Sequence, residues 1–89
     1  MNQHYKNVFD ALANSPEEAL NLKLRAQLMV EAQIRLDSKG WTQADAATRL
    51  GISQPRISDL KTGKLSKFSL DALVNLIYSL GGRVEMKVA

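Results

Sequence analysis

The apolar positions of this chain fall into two kinds of spacing, and each predicts a different backbone. Between Pro16 and Ser38, Leu24, Leu28, Ala32 and Leu36 recur every four residues, and Leu22, Met29 and Ala32 form an adjacent stripe. Such spacing places side chains on one side of an α-helix. Ser15, Pro16, Glu17 and Glu18 supply its start: a hydroxyl that accepts from a free amide, a proline where the amide has no intrahelical partner, and an acid at the third position. Gly40 is expected to end it. Val30 and Ile34 fall off both stripes. That much apolar surface either makes a broad core face or meets a second copy or another protein.

Residues 42 to 63, TQADAATRLGISQPRISDLKTG, predict two short helices and a tight turn. Thr42 is placed as an N-cap with Asp45 three residues on, so one helix begins at Gln43 and ends at Gly51, where positive φ is expected. Gly51, Ile52 and Ser53 make the turn; Ser53 caps the second helix, Pro55 lies in its first turn and Gly63 closes it. Ala46, Ala47 and Leu50 line the inner side of the first helix, and Ile52, Ile57 and Leu60 that of the turn and the second. Ala47 is expected at the closest approach of the two helices, where only a small side chain fits. Trp41 is expected to pack in the core at the junction before Thr42.

Beyond Gly63 comes a short basic loop, Lys64 to Lys67, and then Ser69 caps another helix with a stripe of Leu70, Leu73, Val74, Ile77 and Leu80, ended by Gly81. The spacing then changes from helical to alternating. Val84, Met86 and Val88 alternate with Arg83, Glu85 and Lys87, the repeat of a half-buried strand. No other stretch reads as its mate, so the expected partner is the same tail of a second copy, paired antiparallel in a twofold dimer. Residues 1 to 15 show no clear period; Tyr5, Val8, Phe9 and Leu12 suit either a tail packed on the body or an arm that docks a protein. His4 is expected on the surface near that end.

Charge sharpens the picture of the middle. From Arg49 to Lys67 there are five basic residues, Arg49, Arg56, Lys61, Lys64 and Lys67, against Asp59; this local +4 exceeds the +3 of the whole chain, leaving −1 for the rest. With Ile57 and Leu60 inward, Pro55, Ser58, Asp59 and Thr62 point outward and Gln54 and Arg56 flank them. A short polar helix in a basic surround fits the DNA major groove, about 12 Å wide, whose base edges offer distinct donor and acceptor patterns. Gln54 can bond adenine bidentately, and Arg56 can reach guanine or a phosphate. Asp59, three residues after Arg56, is expected to hold that guanidinium; the alternative is accepting from a cytosine amine. Lys64 and Lys67 are placed to touch backbone phosphates.

TQADAATRLGISQPRISDLKTGK resembles the helix-turn-helix of the Cro/CI-type (XRE) DNA-binding proteins, with Gln43, Ala47, Gly51, Ile52, Ile57 and Leu60 at the places characteristic of that motif. The resemblance implies an all-α, five-helix, λ-repressor-like domain with the short C-terminal β-strand appended: an arm at 1–15, the helix-turn-helix domain at 16–82 and a dimerisation strand at 83–89. It implies that Gln43 contacts a phosphate and braces Gln54, which reads a base; with the outward face and the basic residues read above, the expected DNA surface also takes in Ser53, Pro55, Arg56, Ser58, Asp59, Lys61, Thr62, Lys64 and Lys67. Pro55 and Asp59 depart from the polar readers common at those places, so the operator sequence does not follow. The flanks, NVFDAL, SPEEALNLKLRAQLM and FSLDALVNLIYSLGGRVEMKV, are similar to small XRE proteins of the HigA-like antitoxin group. In that group the protein binds a RelE/HigB-like toxin ribonuclease and represses the shared operon as a homodimer; a stand-alone repressor has the same architecture.

Length and composition bound the alternatives. Eighty-nine residues make one domain with a small core and no room for a deep active site beside it. No apolar run approaches the roughly 18 to 20 residues of a membrane helix, and no basic-then-apolar leader opens the chain, so a cytoplasmic location is expected. There is no cysteine and a single histidine, which argues against a metal centre or disulfides. No nucleophile and base, and no pair of carboxylates, has a reason to converge; an enzyme, a cofactor and a small-molecule ligand are therefore not expected. The remaining alternative class is a helical adaptor that binds only protein.

Overall fold

The computed structural model describes residues 13–89, and in them four α-helices and one 3-10 turn follow in order: α1 (Pro16–Lys39), α2 (Gln43–Leu50), α3 (Gln54–Lys61), the turn Leu65–Lys67 and α4 (Leu70–Ser79). All four helix starts use a hydroxyl cap. Ser15, Thr42, Ser53 and Ser69 each accept from the amide three residues on, Glu18, Asp45, Arg56 and Ala72 respectively, satisfying an amide that the helix itself leaves free. At α1 the Glu18 carboxylate also reaches back past the cap to accept from the Asn14 amide at 2.6 Å.

The core lies where α1 and α4 pack together over the α2–α3 pair. Met29, Ala32 and Leu36 of α1, Ala46 of α2, Ile57 and Leu60 of α3, Phe68, and Leu73, Leu76, Ile77 and Leu80 form one buried cluster. Leu28, Trp41, Ala47, Leu50 and Ile52 are half-buried around it. Trp41 therefore packs at the junction as expected, against the core rather than within it, with the Arg49 guanidinium 4.9 Å from its ring centroid. Among the described residues no buried side-chain nitrogen or oxygen lacks a hydrogen-bond partner.

Several expectations need correction. The four-residue stripe on α1 does not stay on the core. Each such step turns about 400°, or 40° beyond a full turn, so Leu24 lies about 120° around from Leu36; Leu24 is exposed while Leu36 is buried. On α4 the inner face is Leu73, Leu76, Ile77 and Leu80, and Val74 points outward. On α2 Ala46 is the fully buried residue, with Ala47 half-buried beside it against the same core. Of the five helices that the resemblance implies, four α-helices stand among the described residues, and the expected loop after Gly63 holds a 3-10 turn at Leu65–Lys67.

The expected C-terminal β-strand is also absent among the described residues: 83–89 carry no ladder. Alternation favours an extended chain, but a strand further needs a neighbour to take its amides and carbonyls, and the described residues of one chain supply none. Met86 and Val88 stand 85% and 81% exposed, so the tail is not half-buried as its pattern suggests. Arg83 and Glu85, two residues apart, pair at 3.0 Å on one side of it. The expectations for Tyr5, Val8, Phe9, Leu12 and His4, and most of the arm at 1–15, lie outside the described residues.

Candidate nucleic-acid interface

The turn between α2 and α3 is built by local chemistry. Gly51 takes φ 69°, a left-handed conformation that favours glycine, and this lets the Ile52 amide donate back to the Ala47 carbonyl at 3.1 Å. Ile52 then tucks against the core and Ser53 opens α3. Both helices present a glutamine at their first position: Gln43 after the Thr42 cap, Gln54 after the Ser53 cap, both exposed. No hydrogen bond joins these two side chains in the free chain.

α3 is divided sharply between two environments. Ile57 and Leu60 are fully buried, while Ser53, Gln54, Pro55, Lys61 and Thr62 are exposed and Ser58 and Asp59 are half-buried. Ser53 is occupied as the cap, its Oγ accepting from the Arg56 amide at 3.2 Å. Thr62 donates its hydroxyl to the Ser58 carbonyl at 2.8 Å, which satisfies the end of the helix and leaves only its acceptor side open. Gln54, at the free end, carries an amide with no partner among the described residues and is the side chain best placed to read a base edge.

The carboxy-terminal end of α3 is held from across the fold. Gln33 of α1 donates its side-chain amide to the Leu60 carbonyl at 2.9 Å, and Gly63 runs so close that a Cβ on it would sit 3.3 Å from the same nitrogen. Gly63 also has φ 72°, closing the helix through bonds from its own amide to Leu60 and from the Lys64 amide to Asp59. Gln33 is not among the sequence candidates, and its signal is slight: a polar residue within the inner arc of α1, where an apolar one would suit the core.

Arg56 and Asp59 do not pair. Arg56 turns back along the body, donating to the Lys67 carbonyl at 2.9 Å with its guanidinium 4.3 Å from the centroid of the Phe68 ring. Asp59 instead faces Lys64, at 3.6 Å. A pairing three residues apart on the helix is thus displaced by two partners that only the folded loop brings near. Lys61, Lys64 and Lys67 are exposed. Phe68, the largest fully buried side chain, does not stand out as core in the sequence, although it precedes the Ser69 cap where a hydrophobic residue commonly packs back on its helix.

No helix among the described residues is long and apolar enough to cross a membrane. Among them no group of three or more histidine, cysteine or acidic side chains converges as a metal ion would need.

Comparisons with known proteins agree with this geometry. The family model of the helix-turn-helix domain matches residues 8–89. A solved structure of a protein assigned to the XRE family of transcriptional regulators superposes with a TM-score of 0.72 at 33% identity, over 78% of this chain and 78% of that one. No curated protein matches the chain. A helix-turn-helix match over nearly the whole sequence, joined to a superposition at this identity, makes the chain a member of the XRE-type helix-turn-helix family.

Proposed function

We propose that this protein is a sequence-specific DNA-binding transcriptional repressor that reads double-stranded operator DNA with the exposed edge of α3. The observation that carries this reading is the division of α3: Ile57 and Leu60 wholly inside, Gln54 unpartnered outside at the helix start. Gln54 reads a base; Gln43, Ser53, Pro55, Ser58, Asp59, Lys61 and Thr62 surround it; Lys64 and Lys67 meet backbone phosphates. Arg56 fits a phosphate better than a guanine, because it is drawn toward the loop.

The test compares Gln54→Ala with the parent protein on a selected operator and on random duplex. The expected loss is about 1 to 3 kcal/mol on the operator with little change on random DNA. Equal losses on both would show that Gln54 reads no base.

The finer reading is that residues 83–89 join two copies through Val84, Met86 and Val88, and that the protein is the antitoxin of a type II pair with a RelE/HigB-like toxin. What supports a protein partner is spare apolar surface on α1: Leu20, Leu24, Val30 and Ile34 are all exposed. A neighbouring reading frame that yields a stable complex on co-expression would bear out the antitoxin role; its absence would leave a stand-alone XRE regulator.

A further inference from the structure

Between α1 and the start of α4 lies a cavity of about 450 Å³ lined by Asn21, Arg25, Arg56, Ser66, Lys67 and Ser69, together with the apolar Phe68 and Leu70. No acid lines it. Its two arginines come from helices far apart in sequence and are both held in place. Arg25 donates Nε to Asn21 Oδ1 at 2.8 Å and one terminal nitrogen to the Leu65 and Phe68 carbonyls at 3.3 and 3.4 Å. Arg56 donates to the Lys67 carbonyl and rests on the Phe68 ring.

These bonds leave donors over. A guanidinium carries five N–H groups, and the second terminal nitrogen of Arg25, with most of those on Arg56, has no acceptor among the described residues. Neither arginine has an ion-pair partner there; the carboxylates that do pair, Asp59 and Glu85, serve Lys64 and Arg83. Both arginines are half-buried, so water screens their mutual repulsion less than it would at an open surface. Two fixed forks and a lysine around one concavity match an anion with several acceptor oxygens on one centre, which is the geometry arginine holds best.

We propose that this cavity is a phosphate-binding site in which Arg25 and Arg56 grip one oxyanion from two sides, with Lys67 at the rim. Two sources carry that chemistry: a backbone phosphate of the duplex that α3 reads, in which case the inference rests on the DNA-binding reading, or a free phosphate ester. Either would tie α1 to α3 through the anion, since Arg56 belongs to the first turn of α3.

The test uses the full chain labelled with nitrogen-15, following the side-chain Nε–H signals of Arg25 and Arg56. In one arm inorganic phosphate replaces chloride at constant ionic strength; in the other a random duplex is added and its affinity followed against salt. Arg25→Gln, which keeps a side-chain amide for the loop carbonyls, is compared in both arms. Saturable movement of both arginine signals by phosphate, with the Arg56 movement lost in Arg25→Gln, identifies a free-anion site. Movement by duplex alone, with the salt slope of Arg25→Gln shallower by about one unit, identifies a backbone phosphate. If neither probe moves the arginine signals of the parent protein, the proposal is overturned, whether or not Arg25→Gln folds. Duplex binding that leaves both signals still, with no response to phosphate, sinks the cavity and spares the DNA reading; a phosphate response without duplex binding does the reverse.

Discussion

Ala46 shows how little latitude single positions have in a core this small. It is fully buried in the same cluster as Ile57 and Leu60, so a longer side chain there must displace its core neighbours or leave its preferred rotamer. Ala46→Leu should destabilise the protein by about 1 to 3 kcal/mol, a fall in melting temperature of about 4 to 8 °C for each kcal/mol in a domain of this size. Ala47→Leu, at the half-buried neighbour, should cost less. A thermal melt in which the two variants lose equal stability would show that the difference in burial between Ala46 and Ala47 does not set the cost. Gln33 bears on the same cluster from α1, because its bond to the Leu60 carbonyl fixes the end of α3 whose start carries Gln54.

At the scale of elements, what a few adjacent residues decide is readable from the sequence and what the folded chain decides is not. A cap is the chemistry of four neighbouring residues, so Ser15, Thr42, Ser53 and Ser69 mark the helix starts with no knowledge of the fold. The same holds for Gly51 and for the apolar edge of α3. Rotation of a helix against its neighbours is decided elsewhere. Val74 and Leu76 are both apolar residues of α4, and only packing against α1 decides that Leu76 goes inside. The partners of Arg56 and Asp59, and the two carbonyls that Arg25 reaches, come from a loop, up to 43 residues away, that no local spacing announces. The Ser53 cap is worth testing because it sits at the reading end of α3. Ser53→Ala removes the acceptor for the Arg56 amide and should cost about 0.5 to 2 kcal/mol in urea unfolding. Faster hydrogen exchange at the Arg56 amide should accompany it, and operator affinity should fall as the helix start frays around Gln54. Unchanged exchange there would mean that the turn, not the cap, holds the end of the helix.

For the molecule as a whole, the tail is the element whose pattern and single-chain surroundings disagree, and the proposed pairing of two tails would reconcile them in a specific register. A twofold antiparallel pairing of 83–89 is centred on one residue or between two, and Met86, the middle residue, is the centre that pairs the whole stretch with apolar facing apolar. Centred on Met86, Val84 faces Val88, Met86 faces its own copy, and Glu85 faces Lys87, opposite in charge. Centred on Glu85 or Lys87, the ribbon sets like charges directly against each other, which destabilises a pair. Centred between two residues, it puts apolar side chains across from charged ones, because facing residues share a side of the ribbon. The Met86 register gives a specific expectation. Glu85→Lys alone should weaken the dimer by setting the introduced lysine of each copy against Lys87 of the other, Lys87→Glu alone should weaken it equally, and the two together should restore it. Because a dimer engages two half-sites about 34 Å apart, the single variants should also lose operator affinity out of proportion to their distance from α3, by up to roughly 10²- to 10⁴-fold as bivalent binding becomes monovalent. Light scattering and operator titration on the four proteins decide it: single variants that remain dimeric, or a double variant no better than either, would exclude the Met86 register.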